Sequence, residues 1–408
     1  MQGVNMKVLI VNKFLYMNGG SETYIMKIGQ QFRKQGHMVQ YFGMDHPDRV
    51  LSNDWNCYTS NMDFHTSKLA KLLYPFKIIY SKEAYKKIMY VLKQFDPDVV
   101  HINNFNFQLT PSILYAIKKY AKTRGRKLPI VMTTHDSQLV CPNHLMTIPS
   151  SGEMCFACEG GKFGNCVKNR CIHNSKIKSL LAALEGWLYK KLKTYRLIDL
   201  IVCPSDFLRS KIATDPVLAD RAITLHNFVE ALPKADVGSH KGNYILYFGR
   251  YSKEKGIDTL LKICKQLPDI PFVFAGSGPL KEEIIKVKNI EEKGFLSGDE
   301  LSQVIAGADL VLFPSQCNEN CPFSVMEAQA YGTPVLGSRL GGIPELIKEG
   351  KTGELLPAKD AELWGKTIRN LWEDKHKLQE YADNCKKVSF YTVEQYCDIL
   401  LSKMKQLF

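Results

Sequence analysis

Two carboxylates eight positions apart, Glu319 and Glu327, flank the run Pro322-Phe323-Ser324. The stretch opens with Asp309-Leu-Val-Leu-Phe-Pro-Ser315, an apolar run of strand length closed by a proline and a hydroxyl residue. A buried strand should therefore deliver the chain into a loop that carries Glu319 and Asn320. Pro322 suits a first helical position, and the run to Tyr331 stops at Gly332, the residue expected just past a helix end. Glu319 is thus expected on the loop and Glu327 inside the helix. The backbone N–H groups around Pro322, Phe323 and Ser324 start that helix without partners, and with the helix dipole they suit an anion such as a phosphate. Such an anion would lie between the two carboxylates. Paired acids at this spacing are common by chance, so the rest of the chain has to carry the inference.

The elements that would position these groups follow an alternating pattern. Tyr244 to Arg250 reads as a strand, followed by Tyr-Ser-Lys-Glu-Lys255-Gly256 and an apolar-periodic helix from Ile257. Arg250 offers a planar fork to phosphate oxygens and Lys255 a compact charge, each charge-assisted hydrogen bond contributing roughly 1.5–3 kcal/mol; the alternative is two solvated surface cations. Near the start, Met6 to Asn12 reads as a parallel strand, and Gly19-Gly20-Ser21 precedes an amphipathic helix through Tyr24, Ile25 and Ile28 to Phe32, with Ser21 as N-cap. Glycines at that junction either let a phosphate approach the backbone or make a tight turn.

Further strands are expected at 39–42, 98–102, 129–136, 200–205 and 222–227. Strands alternating with helices imply doubly wound parallel sheets, whose ligands gather at the carboxyl ends of the strands. His135 stands at such an end. Asp96-Pro97-Asp98 has the outline of a metal-binding DxD, but it precedes a strand and Pro97 suits a turn. A Pro-, Gly- and Lys-rich stretch at 230–243 reads as an interdomain linker. The expected organisation is a first domain at 1–229, a second at 244–389, and an amphipathic C-terminal helix at 390–408.

A chain of 408 residues is too long for one ordinary core, and 45% hydrophobic residues suffices for two or three. No apolar run reaches the ~18 residues of a membrane span, and MQGVNMKVLIV enters a strand-like segment without a small-residue cleavage site, so a cytoplasmic protein is expected. The formal net charge of +13 favours anionic partners: nucleotides, phospholipid surfaces or nucleic acid. Residues 66–95 hold seven lysines and one acid, with leucines and aromatics at helical spacing, and residues 176–196 form a second basic amphipathic stretch. Each either lies on an anionic membrane or is an outer helix with a solvated lysine face.

Twelve cysteines in a reducing compartment are metal candidates before disulfide candidates. Cys155, Cys158, Cys166 and Cys171 bring four thiols into 17 residues. A closed tetrahedral zinc site needs four such ligands, and this loop has no other evident means of ordering itself, so a structural zinc is expected. Free buried thiols and a redox pair are the alternatives, and Cys141, His144 or His173 could replace a ligand.

Phe-Pro-Ser before, Glu-Ala-Gln-Ala-Tyr-Gly-Thr-Pro-Val within and Gly-Gly-Ile-Pro-Glu after give Glu319 and Glu327 a setting that resembles the E-x7-E signature of the family 4 glycosyltransferases. The Gly249-Arg250-x4-Lys255-Gly256 run resembles that family's diphosphate clamp, Gly276-Ser-Gly278-Pro279 its GxGP turn, Gly19-Gly20 its donor-side glycine loop, and Thr-His135-Asp its donor-sugar histidine. The resemblance implies a GT-B fold, α/β, with two doubly wound Rossmann-like domains facing a central cleft, an acceptor-side domain first and a nucleotide-sugar-binding domain second. It implies catalytic roles for His135 and Glu319, diphosphate contacts from Gly19, Gly20, Arg250, Lys255, Phe323 and Ser324, ribose contacts from Glu327, and nucleobase reading by Gly294, Phe295 and Leu296. Residues 141–173 resemble a cysteine-rich insertion carried by some members, and the C-terminal helix is expected to cross back to the first domain.

The implied activity is transfer of a sugar from a UDP or GDP donor to a glycan or lipid-linked acceptor, with retention and without a catalytic metal or other cofactor, in surface polysaccharide assembly. Peripheral attachment to the inner face of the plasma membrane, through an anionic surface, accompanies that reading. A nucleotide-sugar epimerase or phosphorylase-like enzyme of the same fold is the alternative. A zinc-containing nucleic-acid-binding protein is a third, disfavoured by the lack of a recognition helix or aromatic platform, so no nucleic-acid partner is expected.

Overall fold

The computed structural model describes residues 5–61, 78–230 and 242–408. Most of the expected linker and residues 66–77 of the first basic stretch lie outside the described residues. The chain divides into two compact units, Met1–Leu225 with Val393–Phe408, and His226–Thr392.

The first unit is built on six parallel strands: β1 (Lys7–Val11), β2 (Met38–Phe42), β3 (Val99–Ile102), β4 (Ile130–Thr133), β5 (Leu200–Cys203) and β6 (Ala222–Thr224), in the order β2-β1-β3-β4-β5-β6. Val8, Leu9, Ile10 and Val11 have no exposed surface, as near-continuous apolar strands covered on both faces require. Helix α1 (Gly20–Lys34) buries Tyr24, Ile25, Ile28 and Phe32. Its cap differs from expectation: Gly19, in extended backbone, is the N-cap, and no side chain caps the helix. Ser21 lies inside the first turn, where its hydroxyl donates to Glu22 Oε1 (2.8 Å) and is no longer placed to accept from the turn's N–H groups.

Helix α2 (Lys176–Lys191) starts at Ser175, whose hydroxyl accepts from Lys178 N. The Val393–Lys405 helix belongs to this first unit and packs on α1, with Tyr396 and Tyr24 hydroxyls 2.8 Å apart and Gln35 Nε2 donating to Asp398 Oδ1 (2.7 Å). The Asp96 and Asp98 carboxylates hold the entrance to β3. Asp98 accepts from Lys7 N (2.8 Å) and pairs with Arg126 (3.2 Å), and Asp96 pairs with Arg124 (2.9 Å) and Arg126 (3.0 Å).

The second unit has its own six-stranded parallel sheet: β7 (Ile245–Arg250), β8 (Phe272–Ser277), β9 (Ile290–Glu292), β10 (Leu310–Phe313), β11 (Val335–Ser338) and β12 (Gly353–Leu356), in the order β9-β8-β7-β10-β11-β12. This is the Rossmann order, whose strand sequence reverses between β7 and β10. Ligands of such sheets bind outside the carboxyl ends of the strands at that reversal. Helices α3 (Ile257–Gln266) and α4 (Phe323–Ala330) follow the two strands.

Candidate active site

In the second unit the loops after β7 and β10 meet at the strand reversal. Gly256 makes the meeting close. Its φ of +80° opens α3, and a Cβ there would stand 2.1 Å from the Pro314 carbonyl oxygen. Glu254 O accepts from Gln316 N (2.8 Å) and Ser315 Oγ (3.3 Å), and Gln316 Nε2 donates to Thr259 (2.8 Å), so the β10–α4 loop is tied to the β7–α3 turn.

Lys255 and Glu319 form an ion pair there, Nζ to Oε1 at 2.5 Å, with Glu319 also accepting from Ser315 Oγ (2.7 Å) and Cys317 Sγ (3.5 Å). Burial alone would raise the Glu319 carboxyl, but the Lys255 charge and the donors around it hold it below the ordinary carboxylate value. Burial likewise opposes the Lys255 ammonium, yet Glu319 keeps its pKa above the ordinary lysine value. A second glycine holds the carboxylate's backbone. Gly341 has φ +58°, its Cβ would fall 2.2 Å from Glu319 O, and Gly342 N donates to that same oxygen (2.6 Å).

Arg250 ends β7, exposed, with its carbonyl accepting from Tyr247 OH (2.7 Å). Helix α4 begins at Phe323 with Pro322 as N-cap, one position later than the sequence pattern starts it, and no side chain caps it. The Phe323 ring lies edge-on to Phe228, centroids 5.6 Å apart. Glu327 is half-buried, and its carbonyl accepts from Tyr331 N (3.0 Å). Gly294 (φ +74°) follows β9, its oxygen accepting from Gly276 N (2.7 Å) and its N–H donating to Glu292 (2.8 Å). Phe295 is 76% exposed, whereas Leu296 packs against the apolar core of the unit.

In the first unit Gly19 and Gly20 start α1, and His135 follows β4 at the carboxyl edge of that unit's sheet. His135 Nε2 is 2.9 Å from Asn103 Oδ1. Asn103 Nδ2 donates to Val11 O (3.4 Å), so its oxygen faces the ring and His135 carries hydrogen on Nε2. The Tyr24 ring stands edge-on to His135 with centroids 4.9 Å apart. Burial lowers the His135 pKa to about 4, partly opposed by Asp136, so the imidazole is neutral near pH 7. Behind it Thr133 Oγ1 bonds both His101 Nε2 (2.8 Å) and Tyr24 OH (3.1 Å).

The cysteines expected to hold zinc follow β4 in the first unit. Cys158, Cys166 and Cys171 are buried with Phe163 and Ala183 in a small apolar cluster, while Cys155 is half-buried with Asn169 Nδ2 at 3.8 Å from its sulfur. Burial pushes the Cys158 thiol up to about 12 and raises Cys166 and Cys171 as well, and nearby cysteines contribute to each shift. Among the described residues no group of three or more His, Cys, Asp or Glu is arranged to hold a metal ion. Phe163 packs on α2, so close to Gly186 that a Cβ there would meet its ring at 2.8 Å.

Several residues of these constellations escaped sequence reasoning. Ser315 lay within the recognised Phe-Pro-Ser run without a partner being named for it, Cys317 carries no motif, and Asn103 is one polar residue among several after β3. Gly341-Gly342 lay within a recognised run, but that run does not say which backbone they touch.

The sequence comparisons agree with this architecture. Residues 18–231, more than half of the chain, match the family described as Glycosyltransferase Family 4, and residues 230–388 match the one described as Glycosyl transferases group 1. The chain belongs to glycosyltransferase family 4, and its fold is of the GT-B class, with two Rossmann-like parallel-sheet domains. It is 36% identical over 137 residues to the sulfoquinovosyl transferase SQD2 of Arabidopsis thaliana, a match spanning 32% of this chain and only 27% of that protein. It is 23% identical over 362 residues, 84% of this chain and 88% of the other, to an uncharacterized 42.6 kDa protein in the cps region of Klebsiella pneumoniae. Among solved structures, Anabaena HepE in complex with UDP and glucose superposes with a TM-score of 0.65 at 16% identity, covering 98% of this chain and all of that one.

Proposed function

We propose that the chain transfers a sugar from a nucleoside diphosphate donor, UDP- or GDP-linked, to a glycan or lipid-linked acceptor with retention at the anomeric carbon. The observation that carries this reading is the Lys255–Glu319 pair at the strand reversal of the second sheet, Glu319 four residues ahead of the uncapped helix start at Phe323. A diphosphate there meets a helix N-terminus and two cations, Arg250 and Lys255, while Glu319 and Glu327 accept from sugar and ribose hydroxyls. Cleaving the glycosidic bond concentrates negative charge on the leaving diphosphate, so cations and N–H groups aimed there act where charge develops. Gly294 to Leu296 present backbone to the nucleobase in this reading, and from the first domain Gly19, Gly20 and neutral His135 serve the donor sugar and phosphate.

Metal independence belongs to the same proposal and is supported by the engagement of Asp96 and Asp98 in ion pairs with Arg124 and Arg126. Family membership supports retention, and the likeness to a Klebsiella cps-region protein supports a role in surface polysaccharide assembly. Residence at the inner face of the plasma membrane completes the reading. Among the described residues no helix is long and apolar enough to cross a membrane.

The test is turnover of a panel of UDP- and GDP-sugars with saccharide and lipid-linked acceptors, following nucleoside diphosphate release and the anomeric configuration of the product by NMR. Acceptor-dependent release with retention is expected. Epimerised nucleotide sugar, or sugar 1-phosphate formed from a glycan and phosphate, would replace the transferase reading.

A further inference from the structure

His135 stands at the carboxyl end of its strand, and a second set of charged groups stands at the amino ends of the same sheet. Lys127 leads into β4, Asp199 directly precedes β5 and Arg221 directly precedes β6. With Asp220 and with Lys193 and Arg196, from the turn that follows α2, they line an open pocket of about 610 Å³. Sites for small molecules run from about 300 to 1,000 Å³, so the space suits a ligand of nucleotide size.

The pocket's charges do not cancel. Asp199 is already engaged, its Oδ2 accepting from Lys118 Nζ (2.8 Å) and from Ile130 N (2.8 Å). That leaves the exposed Asp220 against four cations, an excess of three positive charges. Elsewhere surface arginines find carboxylates: Arg126 pairs with Asp96 and Asp98, Arg339 with Glu349 and Arg369 with Asp269. The Lys193 and Arg196 side chains make no hydrogen bond or ion pair among the described residues. Arg221 Nη1 donates to Arg196 O (2.8 Å) and Ile198 O (2.6 Å), which fixes its guanidinium against the turn that carries Arg196. Lys193 has φ +50°, a left-handed backbone that glycine takes without strain, yet the chain places a lysine there. Like charges gathered around one opening repel each other, and an anion between them relieves the repulsion.

The chemistry of that anion follows from the donors and the charge. Two arginine forks suit phosphoryl oxygens, and two lysines add compact charges. A phosphate monoester carries about −1.5 to −2, whereas an excess of three matches a di- or triphosphate. Pro216, Val217 and Leu407 complete the lining and give it an apolar part that suits a nucleoside ring system.

We propose that this pocket is a second nucleotide site, holding the phosphoryl groups of a nucleoside di- or triphosphate among Lys127, Lys193, Arg196 and Arg221. It lies at the opposite end of the strands from His135, and Lys255 and Glu319 belong to the other unit, so its ligand is neither the donor nor a part of the donor's site. The site does not rest on the transfer reading, and an Arg250→Ala chain is expected to bind nucleotide here whether or not sugar transfer is found.

The experiment is calorimetric titration of ATP into the full chain carrying Arg250→Ala, which weakens the proposed donor site. Binding that weakens with salt is expected, with inorganic phosphate at least tenfold weaker than ATP. Adding Lys193→Ala/Arg196→Ala should lower ATP affinity at least tenfold. Without nucleotide and at low salt, the same double change should leave the melting temperature equal or higher, because it removes repulsion rather than packing. ATP should also protect Lys127 and Lys193 from acetylation by acetic anhydride, read by mass spectrometry. The proposal is overturned if the Arg250→Ala chain binds no ATP up to about 5 mM, if the double change leaves ATP affinity intact, or if neither lysine is protected. Capture of the chain on phosphatidic acid vesicles without any ATP binding would assign the cations to a lipid headgroup and overturn it as well.

Discussion

Replacing Glu319 by glutamine keeps the side-chain volume and removes the charge that Lys255 faces. At 2.5 Å and an effective dielectric constant of about 20 the gross attraction is about 6–7 kcal/mol. Most of this is offset by the desolvation of both groups, and Lys255 remains 30% exposed, so screening weakens the pair below the 3–5 kcal/mol typical of fully buried ones. The expected loss of stability is about 2 kcal/mol. It depends on pH in a defined sense. The folded Glu319 carboxyl lies below its ordinary value of 4.5, so its contribution is fully present above that value and is lost as pH falls through the folded pKa. Urea unfolding at pH 7 and pH 3.5 reads this directly. Fluorescence with Trp55 and Trp187 replaced by phenylalanine leaves only Trp364 and Trp372, both in the second unit, to report. The Gln variant should be weaker at pH 7 and approach the parent in acid, and Lys255→Met/Glu319→Gln should lose less than the two single changes added together. Strict additivity, or an equal deficit at both pH values, would refute the account of the pair. On activity, Glu319→Gln should reduce sugar transfer roughly 100-fold or more.

Arg250→Ala should lower transfer by a similar factor, on the order of 100-fold, with an unchanged unfolding midpoint, because the side chain is exposed on a strand end; near-normal kcat/KM would remove Arg250 from the site. Gly341→Ala should destabilise by about 1–2 kcal/mol through its left-handed backbone and, by displacing Glu319, cut transfer at least ~10-fold. Gly350→Ala is the control, since its φ is also positive (+71°) but nothing stands within 4 Å of the added Cβ; it should lose stability alone. His135 titrates near 4 in the folded chain against 6.5 ordinarily, so the unfolded state binds more protons in between and the first unit should lose stability as pH falls from 6.5 toward 4. Melting temperature against pH should show a shallower acid slope in His135→Gln, and an unchanged slope would place the titration elsewhere.

Much of the fold was legible because parallel strands buried on both faces write themselves as apolar runs, and both sheets follow that rule from Val8-Leu9-Ile10-Val11 to Leu310-Val311-Leu312-Phe313. The glycine and proline punctuation around Lys255 and Phe323 was equally readable, since only local backbone chemistry is involved. Helix ends were less so. Ser21 stands two positions and Pro322 one from its expected place, Ser21 because its hydroxyl bonds Glu22 rather than the helix's own N–H groups.

The sequence by itself determined the strand–helix alternation, the charged and glycine-rich loops at strand ends, and the family that such a combination marks. Only the tertiary structure decided that Lys255 and Glu319, 64 residues apart, form one ion pair, that Gly341 bounds the Glu319 backbone, and that Asn103 sets the hydrogen on His135. Strand order is the reason, since it brings non-consecutive loops to the same edge of a sheet and no local pattern encodes it. The cysteines show the same limit from the other side. Their spacing suggested a metal but does not show that Cys158, Cys166 and Cys171 pack against Phe163 and Ala183.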